Sequence, residues 1–310
     1  MKKIYIIHEN SEWVIPLKVA LTELGTPFEE WFITDFKLDV SSVPPEGVFY
    51  NRMSASSHTR GNRFAPEMTA AVLAWLESHN RTILNGRNAL KLELSKLEQY
   101  SALGIQNIPY PKTLAASSSN ALIENSEKME PPFILKPNRG GKGSGVQLFF
   151  DHASLKRKVL NNEIGKSIDG IWLIQEFIAP KGGKINRVEI INGKYFYTVE
   201  IDATNGFELC PADGCQVEDA FCPVGESATN KFEILENLVQ PEIAKYLAFL
   251  KSNDIHVGAI EYSESSDGTK VVYDVNTNTN YNAAAESRTA NKLNAMQFLA
   301  QELSNALKDI

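Results

Sequence analysis

The stretch Phe133-Ile134-Leu135-Lys136-Pro137-Asn138-Arg139-Gly140-Gly141-Lys142-Gly143-Ser144-Gly145-Val146 decides how this chain is read. An apolar strand runs into Lys136, a glycine-rich loop follows, and a second apolar run begins at Val146. Glycines at Gly140, Gly141, Gly143 and Gly145 allow positive φ and let backbone N–H groups approach a polyanion. The loop leads into a strand, whereas Walker A and Rossmann phosphate loops lead into a helix. The glycine run alone also reads as a surface hairpin. Lys136 tips the balance, because a lysine on a buried strand needs an anionic partner and a phosphate under the loop would supply one.

A second constellation lies further along. Gly258-Ala259-Ile260-Glu261-Tyr262 and Val271-Val272-Tyr273-Asp274-Val275-Asn276 read as adjacent antiparallel strands, each with an acid near its end. Asp274 and Asn276 are two residues apart and so share a strand face. With Glu261 they make an oxygen-rich set suited to Mg²⁺, with Mn²⁺ as the alternative ion. The other reading is a surface acid ladder, which like-charge repulsion across a sheet disfavours. The amide-rich segment Asn276 to Asn282 follows directly, with Asn278 and Asn280 candidates for positioning phosphate or substrate.

Working outward, residues 3–7, a helix over 13–24 and a strand over 28–32 predict a β-α-β opening and a parallel sheet. Strands at 48–50 and 82–84 and a helix over 66–78 complete a first domain, with a polar loop over 53–63. The pattern predicts one helix over 89–103, a linker over 115–120, and strands over 172–176, 188–191 and 195–201. Asn192-Gly193 marks a hairpin. Helices are predicted over 231–252 and 283–307. Strands after residue 130 come in hairpin-like pairs, so the second half reads as α+β.

With 310 residues, net charge −7 and pI near 5.4, the chain lacks the concentrated basic charge of a nucleic-acid binder. No run approaches the ~18 apolar residues of a membrane span. Glu9, Asn10 and Glu12 interrupt the opening apolar run too early for a signal peptide, so the cytoplasm is the expected location. Cys210, Cys215 and Cys222 read as unligated thiols, since a thiolate zinc site needs four ligands.

In order, these features resemble the ATP-grasp superfamily, most closely its RimK-type and glutathione-synthetase-like branch, from about Asn85 to Asn282. The resemblance implies an α+β ATP-grasp fold, two subdomains clasping ATP, preceded by a small α/β domain. It divides the chain into 1–87, 88–168 (the lid with the glycine loop) and 169–310 (the metal-bearing subdomain). Lys136 and Lys96 (with Lys91 competing) would contact the nucleotide phosphates, under a cover formed by Gly141, Gly143, Ser144 and Gly145. Gln175, Glu176, Phe177 and Ile178 match the adenine hinge, Arg187 the phosphate-facing arginine, and Glu261, Asp274 and Asn276 the metal ligands.

Three departures set the chain apart. Ile185 stands where the family often has aspartate, Phe207 to Cys215 replaces an Arg-Ser-Asn segment, and Thr279-Asn280 replaces Pro-Gly. The implied reaction is ATP-dependent ligation of a carboxylate to an amine through an acylphosphate, with Lys136 and Arg187 as catalytic cations. Arg52, Arg60 and Arg288 are candidates for binding substrate carboxylates, because a guanidinium grips them in bidentate fashion. A small molecule or a peptide would fit either substrate role, and a homodimer is allowed. The competing readings are an ATP-grasp phosphotransferase and a nucleotide-binding regulatory protein.

Overall fold

The computed structural model describes residues 1–141, 143–203, 232–235, 240–290 and 293–310. Cys210, Cys215 and Cys222, with the replaced segment around them, lie outside the described residues. In chain order the first elements are β1 (Lys3–His8), α1 (Ile15–Glu23), β2 (Phe28–Phe32), β3 (Gly47–Asn51), α2 (Ala65–Ser78) and β4 (Thr82–Leu84). The four strands form a parallel sheet in the order β2-β1-β3-β4. Parallel strands need both faces covered. One face packs with Tyr5, Trp31, Phe49 and Trp75 against α2. On the other, Ile4, Ile6, Val48 and Tyr50 meet Leu17 and Leu21 of α1.

The middle of the chain holds α3 (Arg87–Leu94), α4 (Lys96–Ile105), β5 (Thr113–Ala116), α5 (Ser119–Ser126), β6 (Phe133–Pro137), β7 (Gln147–Phe149), α6 (His152–Leu160) and β8 (Trp172–Glu176). Its strands form an antiparallel sheet, β5-β8-β6-β7, whose core of Leu135, Phe149 and Ile174 is closed by Leu122, Leu155 and Val159 from the helices. The last part holds β9 (Lys184–Ile191), β10 (Lys194–Asp202), β11 (Phe232–Leu235), α7 (Pro241–Ser252), β12 (Val257–Glu264), β13 (Lys270–Asn276), α8 (Ala283–Glu286) and α9 (Ala295–Lys308). Here the antiparallel order is β11-β10-β9-β12-β13. Tyr246, Phe249 and Leu250 cover one face, and Met296, Leu299 and Leu303 cover the other and also reach the first sheet. The β9–β10 hairpin turns at Asn192 (φ 49°) and Gly193 (φ 69°), the left-handed pair its sequence calls for.

Four expectations need correction. The helix over 89–103 breaks at Ser95, which is extended (φ −143°, ψ 112°) and accepts a hydrogen bond from Glu98 N. Ser-x-x-Glu is a helix-start signature, so the break is written in the sequence. Residues 115–120 are no linker, since Thr113–Ala116 pairs with β8 and Ser118 caps α5 by accepting from Ala121 N. Phe232–Leu235 is a strand paired with β10, and the helix begins only at Pro241. The C-terminal helix divides into α8 and α9, with Asn294 and Gln297 forming a capping box at the start of α9.

Asn85 joins the first sheet to the last. Its backbone is left-handed (φ 58°) and its side chain is fully buried. Nδ2 donates to Val257 O (2.7 Å) and Thr277 O (2.8 Å), while Oδ1 accepts from His256 N (2.8 Å) and Val257 N (3.0 Å). Replacing it by alanine strands buried backbone groups at roughly 1–3 kcal/mol each and adds left-handed strain. Asn85→Ala is therefore expected to lower unfolding stability by about 3–5 kcal/mol in urea titrations, where an ordinary surface asparagine would change it little.

Candidate active site

The glycine loop, β8 and the β9–β12–β13 face enclose a cleft of about 410 Å³. Lys136 sits at its floor because β6 is an inner strand between β7 and β8, and its side chain is only 6% exposed. Its Nζ donates to Tyr100 Oη at 2.7 Å and lies 5.4 Å from that ring's centre. Burial, reinforced by the Lys96 charge, pushes its pKa down to about 7, although Asp274 and Glu261 pull the other way. A buried ammonium held mainly by a neutral hydroxyl is short of negative charge.

Facing it is a row of charges set by strand register. Arg187 on β9, Glu261 on β12 and Asp274 on β13 stand directly opposite one another. A register shift beside Glu261, at Tyr273, re-aims the end of β13, a device common next to active sites. Arg187 donates to Glu189 Oε1 (2.6 Å) and Glu261 Oε1 (3.2 Å). Burial opposes the Arg187 charge, but the two carboxylates outweigh it and hold its pKa above the usual range. Burial also raises Glu189, to about 7 against the pull of Arg187. Glu261 is raised by burial and by Asp274, with Arg187 opposing.

Lys96, at the start of α4, reaches across to Asp274 Oδ1 at 2.6 Å. Lys91 instead pairs with Glu98 at the surface, so Lys96 is the lysine that enters the cleft. Asn276 Nδ2 donates to Glu261 Oε1 at 2.9 Å. Hydrogen bonds from Arg187 and Asn276 both fall on Oε1 of Glu261, and those from Lys96 and Val275 both fall on Oδ1 of Asp274. The second oxygen of each carboxylate stays outside this network, and two facing acids already recruit cationic partners. That donor set fits a hard divalent ion. Among the described residues there is no cluster of three or more His, Cys, Asp or Glu side chains able to hold a metal. Waters or phosphate oxygens would therefore have to complete any coordination shell here.

Gly141, Gly143 and Ser144 line the cleft, as do Gln175, Glu176, Phe177, Ile178, Asn278 and Asn280. Gly145 instead lines a smaller cavity on the far side of the loop. The Gln175 amide donates to Tyr100 Oη and Thr113 Oγ1, so its side chain braces the floor.

The three arginines expected to bind substrate are placed otherwise. Arg52 is buried behind the amide-rich loop, donating to Asn278 Oδ1 (3.1 Å), Thr279 O (2.9 Å) and Asn280 Oδ1 (2.9 Å). It shapes that loop instead of offering an open guanidinium. Arg60 pairs with both oxygens of the buried Glu9 and stacks over Trp13, whose ring lines the cleft. Arg288 lies away from the cleft, donating to Ala284 O and Phe232 O.

Sequence reasoning missed Tyr100, Glu93 and Glu189. Tyr100 falls four residues after Lys96, on the same helix face, and Glu189 two after Arg187, on the same strand face, so both were discoverable by period. Glu93 is partly buried, accepts from Ala55 N, Thr277 N and Thr277 Oγ1, and has its pKa raised by desolvation to about 7. No periodicity marks it.

Comparison with known proteins places this geometry. The model of the RimK-like ATP-grasp domain matches residues 94–218. Over that segment the chain is similar to a RimK-like ATP-grasp domain. A curated relative, the glutamate–LysW ligase ArgX of Sulfolobus acidocaldarius, is 31% identical over 118 residues, which are 38% of this chain and 42% of that protein. The matched segment thus spans less than half of that relative's length. The ATP-grasp fold extends further. The ATP-grasp ligase PsnB, complexed with a phosphomimetic variant of its minimal precursor, Mg and ADP, superposes with a TM-score of 0.66 at 14% identity, covering 99% of each chain. D-cycloserine synthetase DcsG gives 0.65 at 15% identity, over 98% of this chain and 99% of its own. A RimK domain ATP-grasp protein from Sphaerobacter thermophilus gives 0.65 at 15%, with the same coverage.

The depressed Lys136 pKa has a consequence for stability. Between about 7 and the ordinary lysine value of 10.5 the unfolded chain holds a proton that the native state has lost, so stability rises with pH across that window. Below it the full cost of burying the charge is present. Lys136→Met is expected to stabilise the nucleotide-free protein by roughly 2 kcal/mol or more at pH 6, the gain shrinking towards pH 10. Urea midpoints measured across that range check the trend.

Proposed function

We propose that this chain is an ATP-dependent carboxylate–amine ligase, releasing ADP and phosphate. The observation that carries the proposal is the buried, anion-deficient Lys136 facing the Arg187–Glu261–Asp274 row across a cleft roofed by glycines. In this reading Lys136 and Lys96 take the phosphates, and Gly141, Gly143, Ser144 and Gly145 belong to their cover. Glu176, Phe177 and Ile178 border the adenine, with Gln175 bracing that end. Glu261, Asp274 and Asn276 would hold Mg²⁺ or Mn²⁺, which neutralises phosphate charge when bound. The segments 1–87, 88–168 and 169–310 act as a small α/β domain, a lid and an acid-bearing subdomain.

The substrate carboxylate oxygen attacks the terminal phosphorus, the bond to ADP breaks, and an acylphosphate forms. The amine then attacks the acyl carbon, phosphate leaves, and the amine nitrogen gives up a proton. Lys136 and Arg187 sit where negative charge on the transferring phosphoryl group would be stabilised, the kind of preorganised electrostatics that dominates phosphoryl transfer. Trp13 and the Arg52-braced Asn278 and Asn280 also line the cleft and suit the carboxylate and amine. Closure of the glycine loop would keep water from the acylphosphate.

The test is ADP release against panels of amino acids and short peptides, with mass spectrometry of the products. An amide product is expected, and accumulation of a stable phosphorylated product would point to a phosphotransferase. Glu261→Gln and Asp274→Asn should each reduce turnover at least ~100-fold; release that survives both changes would refute the assigned roles.

A further inference from the structure

On the far side of the glycine loop is a separate cavity of about 230 Å³. It shares Pro137, Gly140, Gly141 and Ser144 with the nucleotide cleft, so the loop is the partition between the two. Its chemistry is one-sided. Arg139 and Lys166 line it, and among the described residues no lining residue is an aspartate or glutamate.

Arg139 is the informative group. Its side chain is 6% exposed, and only Nη1 is engaged, donating to Glu67 Oε1 at 3.2 Å. Nε and Nη2 are buried without a hydrogen-bond partner. Those two atoms form one edge of the guanidinium, with parallel N–H bonds spaced for a carboxylate fork. Leaving such donors buried and empty is costly, especially on a charged group. Glu67 cannot neutralise the site fully, because it is half exposed and shared with Arg63 at 2.9 Å.

The rest of the cavity narrows the occupant. Ile164, Ile168 and Trp172 supply apolar wall, and His58 and Thr59 also line the cavity. Burial and then the charges of Arg139, Arg60 and Arg63 hold the His58 pKa down, so this wall carries a positive potential beside a neutral imidazole. The volume is below the roughly 300 Å³ at which drug-sized ligand pockets begin. A single short side chain with an anionic tip fits better than a nucleotide.

We infer that this cavity is a carboxylate subsite, in which Arg139 turns to present its unpartnered Nε/Nη2 edge to a carboxylate whose short apolar stem lies against Ile164, Ile168 and Trp172. The carboxylate belongs either to an acidic side chain of a peptide or to a free dicarboxylic amino acid. Because the loop is the shared wall, an occupant would touch the outer side of the segment that covers the cleft. Binding here does not depend on the ligase reading, so the two stand or fall separately.

The experiment is an NMR titration of the nucleotide-free 310-residue chain, following the Trp172 indole and the loop glycine amides. The probes are acetyl-Gly-Glu-Gly-amide, its Gln counterpart and free L-glutamate. Saturable shifts with the Glu peptide, with L-glutamate or with both support the subsite and distinguish the two sources. Arg139→Gln should weaken that binding about tenfold or more. Glu67→Gln should tighten it about two- to fivefold by removing the competing charge, a gain that a folding defect would not give. No binding by either carboxylate probe, equal binding of the Gln peptide, or weakening by Glu67→Gln as large as by Arg139→Gln would overturn the assignment. None of these results would alter ADP release from the nucleotide cleft.

Discussion

A lysine ammonium buried against a tyrosine hydroxyl is the constraint around which this molecule is organised. Lys136 cannot leave the floor of the cleft, because β6 is fixed between β7 and β8 and its apolar neighbours Phe133 and Leu135 are fully buried. Its charge is disfavoured until an anion arrives. The groups around it then make electrostatic sense. Arg187 and Lys96 hold the two acids that would otherwise repel each other, and each acid keeps one oxygen outside the network. The cleft is a set of charges that, on the proposed function, a phosphate-bearing ligand and its counter-ion would balance.

The first sheet contributes by fixing position. Asn85 leaves the end of β4 and ties the turn before β12 to the end of β13. Arg52 leaves the end of β3 and holds the carbonyl oxygens of Asn278 and Asn280. Since a guanidinium has only donors, it orients both amides with oxygen inward. Glu93 completes the same join from α3. The loop that follows the acid cluster is therefore held by polar contacts from the ends of β3 and β4 and from α3, although none of those contacts is itself in the row of charges.

Much of this was legible in the sequence, because it rests on local patterns. The strand-loop-strand around Lys136, the paired acids at Glu261 and Asp274, and the parallel opening sheet all follow from period and turn chemistry. Ser95 and Ser118 were misread although their capping signals are local, since the apolar periodicity around them outweighed single cap residues. Arg52, Arg60 and Arg288 show a different limit of sequence reading. An arginine's residue type gives its charge but not its partner, and here the partners are 226 (Asn278), 51 (Glu9) and 56 (Phe232) residues away in the chain. Phe232–Leu235 is a strand because β10 offers it an edge, which no local pattern records.

The central claim is that Lys136 waits, largely uncharged above neutral pH, for the phosphates of a nucleotide. Calorimetric titration at pH 8 with Mg²⁺ and a non-hydrolysable ATP analogue, in two buffers of different ionisation enthalpy, measures the protons taken up on binding. The account predicts uptake of about one proton by the native chain and none by Lys136→Arg, whose charge is permanent. Binding of the analogue to the native chain without proton uptake would contradict it.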